Sequence, residues 1–233
     1  LVDQIRKKQS RDVCIDWSGV SISGRSDNIT VLDGVEFDPH VHIDVRGGPV
    51  FIGEDSRIGA FTRIHGPAYI GKGCEIRSAF VGQGSSIGKF CKIGGELDSS
   101  IIEEYSNKAH EGYLGHSYIG KWVNIGAGTN ISNLKNTYGT IQMETTGGRV
   151  DTGMVKLGAF LADYSKTAIG SLIYSGRKLG VCSQTHGHLT NDVPSFTIYA
   201  KGLGSKSCEL QLESACETQK RMLSRRGLKQ TET

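Results

Sequence analysis

The sequence predicts an all-β fold: a single-stranded parallel β-helix of hexapeptide repeats, finished by a short C-terminal α-helix. Three observations carry that prediction. An aliphatic residue returns every six positions, through Ile52, Ile58, Ile64, Ile70 and Ile76 without a break, then through Val81, Ile87 and Ile93 after a one-residue slip. Glycine follows it at Gly53, Gly59, Gly71, Gly82, Gly88 and Gly94, and one inward aliphatic per hexad is the mark of a β-solenoid. Glycine numbers 32 and proline only 4, which suits many tight corners in a regular repeat better than a flexible linker.

Taken in order, residues 1–34 form a charged, irregular lead-in or linker, with strand-like pieces only from Ile22 to Leu32. The chain opens on Leu1 rather than methionine, as a fragment or a processed chain would. The β-helix domain is expected over 35–205. Three hexads close one triangular turn of about 18 residues, so Ile52 should lie on Ile70 and Ile58 on Ile76. Hydrogen bonds then run between successive turns, and each buried Ile or Val hides surface worth ~1.5–3 kcal/mol. The beat restarts at Ile119, Ile125 and Ile131, and Leu157 and Ile169 sit in phase with one another. It breaks over 96–117 and again over 133–156, where Gly147-Gly148 reads as a hairpin turn. Loops thrown out from a rigid scaffold are where binding residues concentrate. Residues 206–233 form a helix and tail. Leu210, Leu212, Ala215 and Met222 fall among charged residues from Ser207 to Arg226, and Gly227 follows a basic last turn. Such a helix would cap the open end of the solenoid or pack on a neighbour.

A net charge of +3 is too mild to call for nucleic acid or a membrane surface as partner. No run approaches the ~18 apolar residues of a membrane span and no secretory signal is visible, so the expected compartment is the cytoplasm. The 6 cysteines show no Cys-x-x-Cys pair. Cys74 and Cys91 share a slot with Ser56, Thr62, Ala68 and Ser85, a column of small buried residues, and are expected to be reduced.

The densest polar constellation is Asn107-Lys108-Ala109-His110, followed by Tyr113, His116, and the run Asn124-Ile-Gly-Ala-Gly-Thr-Asn130. Histidine titrates near working pH, which makes His110 at a solenoid irregularity a candidate general base. Backbone N–H groups of Gly126, Ala127 and Gly128 could polarise a carbonyl; the same residues also suit a tight corner.

These motifs, with Gly-His-Ser-Tyr-Ile-Gly and Asn-Leu-Lys-Asn-Thr-Tyr-Gly, resemble the acetyltransferase domain of the bifunctional glucosamine-1-phosphate acetyltransferase/uridyltransferase family. The likeness is strongest over 106–133 and looser over 35–181. It is nearest to a branch classed as sugar nucleotidyltransferases. The resemblance implies a left-handed coil, a homotrimer, and acetyl-CoA as co-substrate bound between subunits. The implied reaction is N-acetylation of an amino-sugar phosphate in nucleotide-sugar biosynthesis, with His110 as catalytic base. It places Lys108, Tyr113, Asn124 and Asn133 at the sugar and Ala127 and Ser165 near the acetyl-CoA. Two positions depart: His65 stands where the family has an arginine for the sugar phosphate, and Gly94 where it has a lysine. Arg63, Arg77, Lys92 and Lys108 are the cations at hand to substitute. The family's Gly-rich uridyltransferase signature does not occur in these residues.

Two other functions fit the pattern. A solenoid without its phosphate ligands could serve as a trimerisation or regulatory module of a sugar nucleotidyltransferase. A zinc-dependent carbonic anhydrase-like hydrase would use histidines such as His65, His110 and His116. Histidines one hexad apart sit on adjacent faces, which opposes convergence on one zinc within a subunit. No metal site is therefore expected.

Overall fold

The computed structural model describes residues 17–200 and 204–231; Cys14 and the first part of the 1–34 stretch lie outside them. The chain winds as a left-handed parallel β-solenoid of about 10 turns with one C-terminal helix. Each turn has three short strands, and strands stack on the turn before and after into three faces. The six-residue beat produces the register it predicts: Ile52 pairs with Ile70 and Ile58 with Ile76. Ile43, Ile52, Ile58, Ile64 and Ile70 are each 0% exposed, and the aliphatic columns merge into one continuous core along the solenoid.

The rungs begin before the beat does. Val20–Ser23 pairs with Val41–Asp44, and Ile29–Val31 with Val50–Ile52, within the stretch that looked like a lead-in. These first turns are longer than three hexads (Val20 lies on Val41), which hides them from a six-residue search.

The first apparent break, 96–117, is not a departure from the solenoid. Ile93 pairs with Lys108, and Glu96–Asp98 with Tyr113–Gly115. The turn is simply shorter, and Lys108 occupies the slot that isoleucine fills on the turn before. The second break is a true excursion. It is pinched at its base by the Leu134–Lys156 bridge and folds as an antiparallel hairpin of Gln142–Thr145 with Gly148–Asp151. Its reversal falls on Thr146-Gly147, with Gly148 opening the return strand.

One corner of the triangle carries a ladder of rings. Phe90, Tyr105, Trp122 and Tyr164 each adopt φ between 59° and 63°, a left-handed conformation that costs a non-glycine residue about 1–2 kcal/mol. Stacking offsets that cost: ring centroids lie 5.1 Å apart for Phe90–Tyr105 and 4.5 Å for Tyr105–Trp122, the latter pair 3° from parallel.

The C-terminal helix spans Leu212–Ser224 rather than starting at Ser207. Cys208–Glu209 instead adds an antiparallel strand to Thr197–Tyr199 and covers the last open edge. The helix then runs back along the aromatic corner. At 1.5 Å per residue its 13 residues reach ~20 Å, about four turns at ~4.8 Å each. That length takes the chain from Leu210, whose N–H donates to Phe196 O at 2.6 Å, to Arg226, which donates to Asn107 Oδ1 at 2.8 Å. The helix thus flanks the solenoid and does not plug its end. Cys74 and Cys91 are buried free thiols in the column of small residues.

Candidate active site

The face that carries Lys92, Asn107, Asn124 and Lys166 on its outside is bounded by the aromatic corner on one side and by His110 on the other. Between them lies a groove of about 620 Å³. Tyr105, Trp122, Asn124 and Ala127 line it, together with Met222, Arg225 and Arg226 of the C-terminal segment. His110 is exposed at the rim.

Five cations line this groove, Arg77, Lys92, Lys166, Arg225 and Arg226, and no carboxylate does. Arg77 and Lys92 both reach the neighbouring Glu75, at 2.7 and 3.0 Å. The Arg77 hydrogen bond, more than any other contact, holds the Glu75 carboxyl down at about 2. One carboxylate between two cations leaves a net positive floor. Lys166 donates to Tyr164 O at 2.9 Å, and burial lowers its pKa.

The residues expected at the site divide into three groups. His110, Asn124 and Ala127 meet in the groove. Gly126 and Gly128 do not offer their N–H groups there: Gly126 N–H donates to the Thr167 hydroxyl at 3.0 Å and Gly128 N–H to Glu111 O at 3.2 Å. Of the three, only Ala127 N–H has no partner among the described residues.

Tyr113 and Asn133 lie around the corner, on the adjoining face. Asn133 Nδ2 donates to Tyr113 Oη at 2.7 Å and lies 2.8 Å from His116 Nδ1, which in turn stands 3.9 Å from Asp98. Burial raises the Tyr113 hydroxyl pKa, and Asp98 and Glu96 add to it. Gly115 makes this cluster possible, since a Cβ there would overlap the Tyr113 hydroxyl and Asn133.

Lys108 and Ser165 point inward. Lys108 is 2% exposed, with Nζ 2.8 Å from Gly94 O and 3.0 Å from His110 O, so it cannot contact a ligand in the groove. Ser165 is 0% exposed in the small-residue column, and its hydroxyl has no hydrogen-bond partner. The structure therefore does not bring Ser165 to the groove; its neighbour Lys166 lies there instead. Position 65 is taken up by an edge contact of His65 with Phe80 at 4.9 Å, and Gly94 has no room for a side chain beneath Ala109 O.

Sequence reading missed Arg225 and Arg226. Their only signal was a basic helix end, which also complements a helix dipole. Within the chain, His65, His110 and His116 do not converge, and no group of three metal-ligating side chains occurs among the described residues. None of the described helices is long and apolar enough to cross a membrane.

His110 stands between two chemically different surfaces. On one side is a groove lined by cations and aromatic rings; around the corner is the hydrogen-bonded cluster of Tyr113, Asn133 and His116, with Asp98 beside it.

No protein-family model matches the chain. It is similar to a bifunctional sugar-1-phosphate nucleotidylyltransferase/acetyltransferase from Sulfurisphaera tokodaii, 37% identical over 97 residues, 41% of this chain and 24% of that one. It is 29% identical over 192 residues to the bifunctional protein GlmU of a Synechococcus strain, 71% of this chain and 38% of the relative. Thus the chain spans between about a quarter and two fifths of the length of these curated relatives. Among solved structures, the UDP-N-acetylglucosamine acyltransferase of Francisella novicida superposes with a TM-score of 0.55 at 16% identity, over 91% of this chain and 73% of that one, a likeness of fold alone. By sequence, the chain is similar over part of its length to bifunctional sugar-1-phosphate nucleotidylyltransferase/acetyltransferase proteins, and by fold it is a hexapeptide-repeat left-handed β-helix.

Proposed function

We propose that the chain transfers an acetyl group from acetyl-CoA to the amine of an amino-sugar phosphate, with His110 as general base. The observation that carries this reading is the exposed imidazole at the rim of a groove lined by five cations, one corner away from the polar cluster of Tyr113 and Asn133. Acetyl-CoA carries several phosphate charges, which Lys166, Arg225 and Arg226 can meet, while Arg77 and Lys92 are shared with Glu75. A sugar presents hydroxyls, which Tyr113 and Asn133 can meet. The name of one relative joins a sugar-1-phosphate nucleotidylyltransferase to an acetyltransferase, in keeping with such a donor and acceptor.

The steps follow from these positions. The neutral acceptor amine forms a bond to the thioester carbonyl carbon as His110 takes one proton from its nitrogen, and negative charge moves to the carbonyl oxygen. Ala127 N–H is the available donor for that oxyanion. Collapse breaks the carbon–sulfur bond, and the departing thiolate takes the proton held by the imidazolium. The products are the amide and free CoA. As in the resemblance, three copies would assemble; Ile169, 78% exposed beside the groove, is an apolar rim for a neighbouring copy to cover.

Thiol release from acetyl-CoA, measured against a panel of amino-sugar phosphates, tests the reading. His110→Ala should lower turnover by about 10²-fold or more. Turnover unchanged in that variant would remove His110 from the reaction. Release with none of the acceptors, combined with no thermal shift by acetyl-CoA, would favour a trimerisation or regulatory module.

A further inference from the structure

On the turns before it, the column to which Lys108 belongs is made of residues that need no partner. Phe37 leads to Ile58, Ile76 and Ile93 along it, each paired to the next. Lys108 follows on Ile93, and Ile125 follows beside the Asn107–Asn124 bridge. An isoleucine would fit between two isoleucines and would bury its whole side chain at no electrostatic cost. A lysine there is stripped of water, which is expensive unless its protons are used.

Its protons are used at one place only. Nζ donates to Gly94 O and to His110 O, at 2.8 and 3.0 Å. Both carbonyls belong to the corner that ends this face. Gly94 lies directly beneath Ala109 O, and Gly95 (φ +70°) and Gly112 (φ +121°) turn the chain on either side. The segment from Ala109 to Gly112 thus has few side chains to pack it. His110 itself is exposed, with no side-chain hydrogen bond among the described residues to fix it. Backbone bonds from Glu96 N–H to Gly112 O and from Gly128 N–H to Glu111 O hold the far side of this segment, and the ammonium ties the carbonyl of His110 itself to the interior.

We propose that Lys108 is a positioning residue: from inside the solenoid its ammonium holds the carbonyl oxygens of Gly94 and His110, and so fixes the corner that presents the His110 imidazole to the groove. This deepens the acyl-transfer reading and rests on it only for the catalytic consequence; the geometric claim concerns the free protein.

The test compares wild type with Lys108→Ile, which restores the residue found on the turns above and below, and with Lys108→Met, which keeps the length without donors. The imidazole Cε1–Hε1 resonance of His110, assigned by its loss in His110→Ala, is the readout independent of activity. One sharp signal is expected in wild type, and a doubled or exchange-broadened one in both variants. In the thiol-release assay the variants should lose 10- to 100-fold in kcat while the KM for acetyl-CoA stays within about threefold, because the groove is untouched. An unchanged His110 signal, or unchanged kcat in an active protein, overturns the proposal. If wild type transfers no acyl group, the resonance alone decides it, and the acyl-transfer reading fails separately. If neither variant folds, Lys108 is a folding residue and the proposal is likewise overturned.

Discussion

Burial of Lys108 predicts an unusual pH dependence of stability. Desolvation lowers its ammonium pKa from 10.5 to about 8, against the smaller opposing pull of Glu111 and Glu96. In the unfolded chain the ordinary value returns. Between those two values the unfolded state holds a proton that the native state has released, so stability rises with pH. Below about 8 both states are protonated and the full cost of the buried charge is present; above about 10.5 neither is. The shift of ~2.5 units corresponds to about 3 kcal/mol, of which ~2.5 kcal/mol is recovered between pH 7 and pH 10. With a urea slope of ~2–3 kcal/mol/M, the midpoint should move up by about 1 M. Other groups titrate in that range, Tyr69, Tyr113 and Tyr118 among them with raised pKa values that work in the opposite sense. The quantity to measure is therefore the wild-type midpoint minus that of Lys108→Met at pH 7, 8.5 and 10. A difference that stays flat across the three would refute the reasoning, since it would mean that folding leaves the ammonium as well solvated as unfolding does.

Three further outcomes follow from the site. Replacing both Arg225 and Arg226 with alanine should cut the thermal shift produced by acetyl-CoA and weaken its binding by about 10- to 100-fold, more at low salt than at high; calorimetry at two ionic strengths checks this. Gly115→Ala should push Tyr113 and Asn133 out of contact, raising the acceptor KM at least tenfold while leaving acetyl-CoA binding alone, as separate titrations would show. If donor and acceptor reach His110 from different faces, as proposed, their stabilising effects should add; a melting temperature with both ligands no higher than with either alone would contradict the two-sided arrangement.

The core of the fold was legible because burial on the inside of a solenoid leaves little choice of residue. Ile52 through Ile93 announced their own register, and the structure pairs them accordingly. What failed was the assumption of constant turn length. Val20 lies on Val41 and Ile93 on Lys108, so one turn is longer and the other shorter than three hexads. Lys108 and Ser165, expected at the ligands from the resemblance and from the cations near His110, are buried in the core. Arg225 and Arg226 were hidden for a different reason. Their place in the groove depends on where a helix docks, and docking is set by the aromatic corner more than a hundred residues earlier, which no local pattern records.

A triangular solenoid also constrains where chemistry can sit. Along a face, outward residues of successive turns are ~4.8 Å apart and look the same way, so they can bind an extended ligand but cannot enclose one. Enclosure needs either a second wall or a corner. Here the C-terminal helix supplies the wall over the face of Asn107, Asn124 and Lys166, and its length matches the distance from the last rung to Asn107. The corner at His110 supplies the other requirement, a side chain accessible from two faces at once. Its glycine neighbours make that corner pliable, and pliability is at odds with a base that must hold its geometry within about half an ångström. A charge buried under the corner resolves the conflict. It spends stability on the inside to gain rigidity where the packing is thinnest, which explains why a lysine persists in a column that isoleucine would fill at lower cost.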